Sequence, residues 1–148
     1  MSIKRPSVAM LHYAAPPVVG GVEAVILAHA QIFVQAGYPV TVVAGQGEAE
    51  ALPEGVELVL VPEIDSQHAE ITSMSAELAQ GQVPPGFEAM RERLGEALAP
   101  MLGSFDNLIV HNVFTKHFNL PLTAALDRTL DGEKAPHCIA WCHDFTWT

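Results

Sequence analysis

The sequence is poor in basic residues and in cysteine, and its apolar stretches are short. Seven Lys and Arg stand against 17 Asp and Glu, a formal charge of -10 at pH 7. So acidic a chain matches phosphate backbones and anionic lipid surfaces badly, which sets nucleic acid and membrane aside as partners. The longest apolar stretch, Val8 to Val34, is interrupted by Pro16, Pro17, Gly20, Gly21 and Glu23. A spanning helix needs about 20 mostly apolar residues without such breaks, so no transmembrane segment is expected. Lys4 and Arg5 precede apolar residues, and Ala28-His29-Ala30 imitates a signal-peptide cleavage site. The proline pair and Glu23 nevertheless destroy the apolar middle that a signal peptide requires.

The only two cysteines are Cys138 and Cys142, inside a run that reads as a strand. Four residues of extended chain separate them by about 13 Å, beyond the ~7 Å reach of a disulfide. His137, Cys138, Cys142 and His143 look like metal ligands on paper. An extended chain cannot bring them to one ion without bending sharply, so no metal is expected. The two thiols are read as packed core residues in a reducing compartment, and the protein as cytoplasmic.

What is present fits one compact domain: 148 residues, 49% apolar and 16% charged, with 11 Gly and 11 Pro and no internal repeat. Ser7 to Tyr13 is largely apolar and suits a strand buried on both faces of a parallel sheet. From Gly21 to Ala36 the residues Val22, Val25, Ile26, His29, Ile32, Phe33 and Ala36 fall at helical spacing, with Gly37 at the C-terminal stop. Val40 to Ala44 and Val56 to Val61 read as the second and third strands. Residues 63–86 mix polar, Gly and Pro residues with weak periodicity, consistent with one short helix over Ile71 to Ala79. Apolar residues from Phe87 to Leu102 recur at three and four residue steps and predict a helix from near Pro85 to Gly103. Leu108 to Val110 reads as strand four, Leu120 to Leu130 as a helix with Pro121 in its first turn, and Cys138 to Cys142 as strand five.

Strands alternating with helices imply right-handed crossovers and an α/β fold: a Rossmann-like open parallel sheet in the order 3-2-1-4-5, with helices on both faces. Ligands of such sheets bind beyond the carboxyl ends of the strands where the order reverses, here between strands one and four. That topology places His12 and Tyr13 after strand one, His111 and Asn112 after strand four, and His143 and Asp144 after strand five. A single histidine at a strand end is readily satisfied by loop backbone. Three on one rim point to a site, because imidazole supplies donors or acceptors that titrate near neutrality. His29 lies in the apolar stripe of the first helix and is read as structural.

The turn Pro16-Pro17-Val18-Val19-Gly20-Gly21-Val22-Glu23 joins strand one to its helix. Gly20 and Gly21 let a backbone approach a ligand closely, and the free N–H groups and positive end of the helix favour a phosphate. Glu23 either complements the helix dipole, or holds the glycine turn and contacts ligand hydroxyls. Other phosphate and catalytic signatures are missing. No G-x-G-x-x-G follows strand one, Gly45-Gln46-Gly47 lacks the third glycine and the ribose-binding acid, and no G-K-[ST] occurs. Nor is there a G-x-S-x-G elbow or an H-E-x-x-H pair.

Val8-Ala9-Met10-Leu11-His12-Tyr13, Pro16-Pro17, Gly20-Gly21-Val22-Glu23 and Gly37-Tyr38-Pro39-Val40-Thr41-Val42-Val43 together resemble the start of the group 1 (family 4) retaining glycosyltransferases. The resemblance is strong over Val8 to Gly45. It is weaker but consistent at Ile109-Val110-His111-Asn112 and at Ile139-Ala140-Trp141-Cys142-His143-Asp144. It implies the GT-B architecture, two Rossmann-like domains facing across a cleft, with no obligatory metal or other cofactor. Residues 1–148 would be the N-terminal, acceptor-side domain, and a C-terminal donor-binding domain would be absent from this chain. The resemblance further implies a nucleotide-diphosphate sugar as donor, with Gly20 and Gly21 approaching its diphosphate. His143 would contact the donor sugar near the reacting centre. Glu23, His12, Tyr13, His111, Asn112 and Asp144 would be acceptor-side or supporting residues.

The chain ends at Thr148, directly after the fifth strand, and Phe145 and Trp147 there would want covering partners. Both points are read as signs of a fragment whose partners are its own missing domain and small-molecule substrates. Two other readings stay open at this point: a nucleotide-sugar epimerase of the same architecture, and a non-catalytic ligand-binding module on the same sheet.

Overall fold

The computed structural model describes residues 4–145. Five strands, β1 (Val8–Leu11), β2 (Val40–Ala44), β3 (Val56–Leu60), β4 (Asn107–His111) and β5 (His137–Trp141), form one all-parallel sheet in the order β3-β2-β1-β4-β5. The expected strand order is therefore the observed one. Four helices accompany it: α1 (Gly21–Gln35), α2 (Ala69–Leu78), α3 (Phe87–Leu102) and α4 (Leu120–Leu130). Trp147 lies outside the described residues.

Alternation along the central strands divides the interior into two layers. Ala9 and Leu11 of β1 and Leu108 and Val110 of β4 face Met90, Leu94 and Leu98 of α3, Leu122 and Leu126 of α4, and Ile71 of α2. Val8 and Met10 of β1 and Ile109 of β4 face Ile26 and Ala30 of α1. Helices thus cover both faces, three on one side and one on the other.

The amino end of the central pair is pinned by Ser7, whose backbone N–H and hydroxyl donate to the Asp106 carboxylate at 2.7 and 2.9 Å. Those bonds hold the Asp106 carboxyl below its usual range. At α4, the buried Asn119 caps the helix by accepting from the Leu122 N–H at 3.1 Å. Its amide donates to the Glu63 and Ile64 carbonyls at 2.9 and 3.1 Å, tying α4 to the turn after β3.

Three local readings need correction. The buried stripe of α1 is narrower than its apolar spacing suggests: Ile26 and Ala30 are buried, while Ile32 is 62% exposed. Six residues at about 100° each carry Ile32 some 120° around the helix from Ile26, off the face that meets the sheet. Gly37 does take the left-handed conformation, with φ +81°, at the C-terminal end. Second, β5 begins one residue early and is an edge strand whose α1-side residues Ile139 and Trp141 are 41% and 42% exposed, because α1 covers only the other half of that face. Third, Cys142 is exposed and stands outside the core, while Cys138 is half-buried and packs against the layer under α3 and α4; both are free thiols. Among the described residues, no helix is long and apolar enough to cross a membrane.

The layered core gives a direct test. Leu98 is fully buried between α3 and the sheet, so Leu98→Ala is expected to cost about 2–5 kcal/mol in urea unfolding, with the fold retained. A change well below 1 kcal/mol would mean that α3 does not close this layer.

Candidate functional site

Parallel register carries three strand ends to one rim. Leu11 of β1 lies beside Val110 of β4, and His111, the last residue of β4, lies beside Trp141 of β5. His12 follows β1 directly, and its Nδ1–H donates to the His111 carbonyl at 2.9 Å. The His111 ring in turn shares a hydrogen bond with His143, Nδ1 to Nε2, at 3.1 Å. The three histidines read from the strand ends are thus joined in one group at the switch point between β1 and β4.

Asn112 positions the third of them. It adopts the left-handed conformation, φ +64°, which Asn tolerates better than other side-chain-bearing residues. Its backbone N–H donates to the Trp141 carbonyl at 3.0 Å, and its Oδ1 accepts from the His143 N–H at 2.9 Å. The Asn112 amide also donates to the Asp144 carboxylate at 3.2 Å. Lys116 pairs with the same carboxylate at 2.8 Å. Hydrogen bonding from Lys116 is the chief reason the Asp144 carboxyl titrates below its ordinary range. Asn112, Lys116 and Asp144 therefore lash the loop after β5 to the end of β4.

On the α1 side, the Glu23 carboxylate folds back over Gly20, so closely that a Cβ on Gly20 would collide with it. Gly21, the first residue of α1, faces open space. The same carboxylate stands 3.7 Å from His12 Nε2. The extended Gly20 and the helix start thus carry an acid above them, while a side chain at Gly21 would meet open space.

Tyr13 points to the opposite layer, where its ring lies 6.1 Å from that of Phe118, its buried hydroxyl has no partner among the described residues and burial raises its pKa, yet its ring also touches that of His12 at 5.0 Å. Conversely, the ring of His29 sits edge-on to Trp141 at 4.7 Å and 6.2 Å from His111. His29 thus adjoins the site rather than serving packing alone. The β4–β5 register would have found Trp141, and the inward position of His29 on α1 was the signal for that residue. No pattern in the sequence marked Lys116.

Burial controls the charge of the group. His111 is fully buried, and desolvation, reinforced by the neighbouring His12, His143 and His29, pushes its pKa down to about 3. Desolvation also outweighs the opposing effects of the His111 carbonyl and Glu23 at His12, whose pKa lies below its usual value. Both are neutral at pH 7. Among the described residues no group of three or more His, Cys, Asp and Glu could hold a metal ion. A groove of about 640 Å³ between α3 and α4, lined by residues including Arg91 and Arg128, contains none of these side chains, and the chemistry assembled at the strand ends outweighs its size in locating the site. Comparison with protein-family models, with curated proteins and with solved structures finds no match to this chain.

Two outcomes follow. An unfolded histidine titrates near 6.5, so between about pH 6.5 and 3 the unfolded chain binds a proton that folded His111 refuses. This contribution is complete above the unfolded pKa and is lost as pH falls. Through His111 alone stability should drop by about 2 kcal/mol from pH 7 to 5, with His12 adding in the same direction, and His111→Asn should remove the His111 share of the slope. An identical slope in the variant would contradict the assignment. At Asn112, replacement by Ala should cost about 2–3 kcal/mol, through lost hydrogen bonds and a strained φ, and Asn112→Gly about 1 kcal/mol less. Amide exchange should rise at His143 and Asp144 in both variants, and unchanged protection there would refute the clamp.

Proposed function

We propose that this chain is the acceptor-side, N-terminal half of a retaining glycosyltransferase, which moves a sugar from a nucleotide-diphosphate donor to an acceptor hydroxyl. The observation that carries the reading is the junction of His12, His111 and His143 at the switch point, facing the glycine turn and Glu23 at the start of α1. The likeness of Val8 to Gly45 to the family's opening segment supports the same reading. A second Rossmann-like domain would bring most of the donor site, including the basic groups that seven Lys and Arg scarcely provide here.

In the reaction, the donor bond breaks as negative charge grows on the diphosphate and positive character on the sugar ring. The open backbone N–H groups at Gly21 and the positive end of α1 stabilise the former. Gly20 serves by admitting the Glu23 carboxylate, which keeps the diphosphate on the Gly21 side of the turn. His143, held by Asn112 and by the neutral His111 ring, orients the sugar by hydrogen bonding near its reacting carbon. The leaving phosphate takes the proton of the acceptor hydroxyl, so no side chain is assigned as base. His12, Tyr13, His111, Asn112 and Asp144 shape or support the acceptor side. The two free thiols agree with a reducing, cytoplasmic setting.

The decisive experiment combines the chain with its donor-binding half and supplies nucleotide sugars with candidate hydroxyl acceptors. Transfer with retained anomeric configuration is expected, and His143→Ala should lower turnover by about 100-fold without changing the unfolding midpoint. Near-normal turnover of that variant would remove His143 from the reaction. Epimerisation or hydrolysis of the donor with no acceptor present would mark an epimerase instead.

A further inference from the structure

Edge strands of natural sheets are blunted by charge, proline or a covering element, because their outer N–H and C=O groups otherwise template another strand. The β3 edge follows that rule in carrying Glu57. The β5 edge, His137-Cys138-Ile139-Ala140-Trp141, holds no acid, lysine, arginine, proline or glycine. Ile139 and Trp141 are 41% and 42% exposed beside it. Hydrogen bonds fix which of its groups face outward. The His137 N–H donates to the Asp106 carbonyl, and the Trp141 carbonyl accepts from the Asn112 N–H, both at 3.0 Å. Alternate residues of a strand turn to the same neighbour, so His137, Ile139 and Trp141 bind β4, while Cys138 and Ala140 turn N–H and C=O away from it. No strand lies beyond β5 among the described residues, and the Ala140 carbonyl meets only the Cys142 thiol there, at 3.8 Å.

Such an edge is complementary to itself. Laid antiparallel on a second β5 about Ile139, Cys138 of each copy opposes Ala140 of the other, and their outward groups close N–H···O=C bonds in both directions. Ile139 then meets Ile139 in the closer, non-hydrogen-bonded kind of pair, and His137 stands opposite Trp141. These are β-branched and aromatic cross-strand pairs with no like charges opposed. The same register brings Lys134 of each copy level with Asp144 of the other, and Lys134 enters none of the ion pairs of the described residues. A parallel arrangement would oppose Lys134 to Lys134 and Asp144 to Asp144. A shift of two residues would leave only three of the five strand residues paired and would part the charges. We infer that the chain associates with a second copy of itself through antiparallel pairing of the β5 edges, joining two five-stranded sheets into one continuous sheet. The contact is isologous and closes at two copies. Its seam is short and each copy carries a charge of -10, so the dimer is weak, with a Kd of about 50 µM at physiological salt. The pairing stands whether or not the chain transfers sugar.

The test is sedimentation velocity of the 148-residue chain under reducing conditions at about 0.15 M salt, from about 5 to about 500 µM. Amide exchange is measured at both ends of that range. The sedimenting species should pass from monomer to dimer, and protection should rise with concentration at Cys138 and Ala140, while Ile139, already bonded to β4, changes little. Ile139→Lys sets two cations against each other at the axis and should weaken association at least about tenfold. Leu60→Lys, at a position of the β3 edge that is 47% exposed, should leave it unchanged. Both replacements fall on exposed positions, so each variant should keep the native unfolding midpoint. If Ile139→Lys unfolds, the exchange pattern of the unaltered chain decides alone. A chain that stays monomeric throughout, undiminished dimer in Ile139→Lys, loss of dimer in Leu60→Lys, or growth beyond two copies would overturn the inference. So would association that leaves Cys138 and Ala140 unprotected.

Discussion

The parallel pairing of β1 with β4 is the constraint from which the site follows. Because the strands run in one direction and in the register Leu11 to Val110, the next residues of each are brought to the same height on the same rim. Alternation then decides their fate. Leu11 and Val110 belong to the layer under α3 and α4, so His111 faces α1 and Tyr13 faces away from it. The polar groups of the site begin where the apolar strands β1 and β4 end, and His12, the residue after β1, hydrogen-bonds to the last residue of β4. Ser7 and Asp106 hold the other end of the same pair, so the register of β1 and β4 is fixed at both ends of a pair whose middle is apolar.

Burial then converts proximity into chemistry. Four histidines close together would repel if charged, and desolvation at His111 and His12 removes that charge. Neutral rings differ from charged ones in having a lone pair to offer, and which nitrogen offers it is set by the partner of the other. At His12 the partner is a backbone carbonyl, which leaves no choice. The Asn112 clamp does for the β5 loop what the carbonyl does for His12: it fixes a backbone so that His143 is presented in one way.

The fold was largely legible because its signals were local and strong. β2 and α4 have the bounds that a β-branched run and a proline-started amphipathic segment suggest. The strand order followed from alternation of strands and helices and the handedness of crossovers. What escaped were facts that depend on how elements lie on one another. The rotation of α1 left Ile32 outside and Ala30 inside, although both carry apolar side chains. Residues 63–86 hold a helix, α2, which runs Ala69–Leu78 where the weak spacing suggested Ile71 to Ala79; with only two buried side chains its ends are set by contacts more than by pattern. At the site, the three histidines were foreseeable from strand ends, as their residue type and position coincide. The Lys116 pair with Asp144 joins two separate loops, and no spacing records it, whereas the folding of Glu23 over Gly20 is a local contact that matches one of the two roles read for Glu23, and His29 was marked by its inward place on α1.

The edge strand β5 has a consequence for how the molecule behaves among its own kind. Among the described residues its outer backbone groups form an open ladder, and Ile139 and Trp141 stand beside it, each partly exposed. Such an edge is a template on which another strand can be laid. Against it works the net charge of -10, which keeps copies apart at low ionic strength and is screened within about 8 Å in physiological salt. Colloidal behaviour is therefore a balance between an apolar border and a repulsive coat, and added salt tips it towards association.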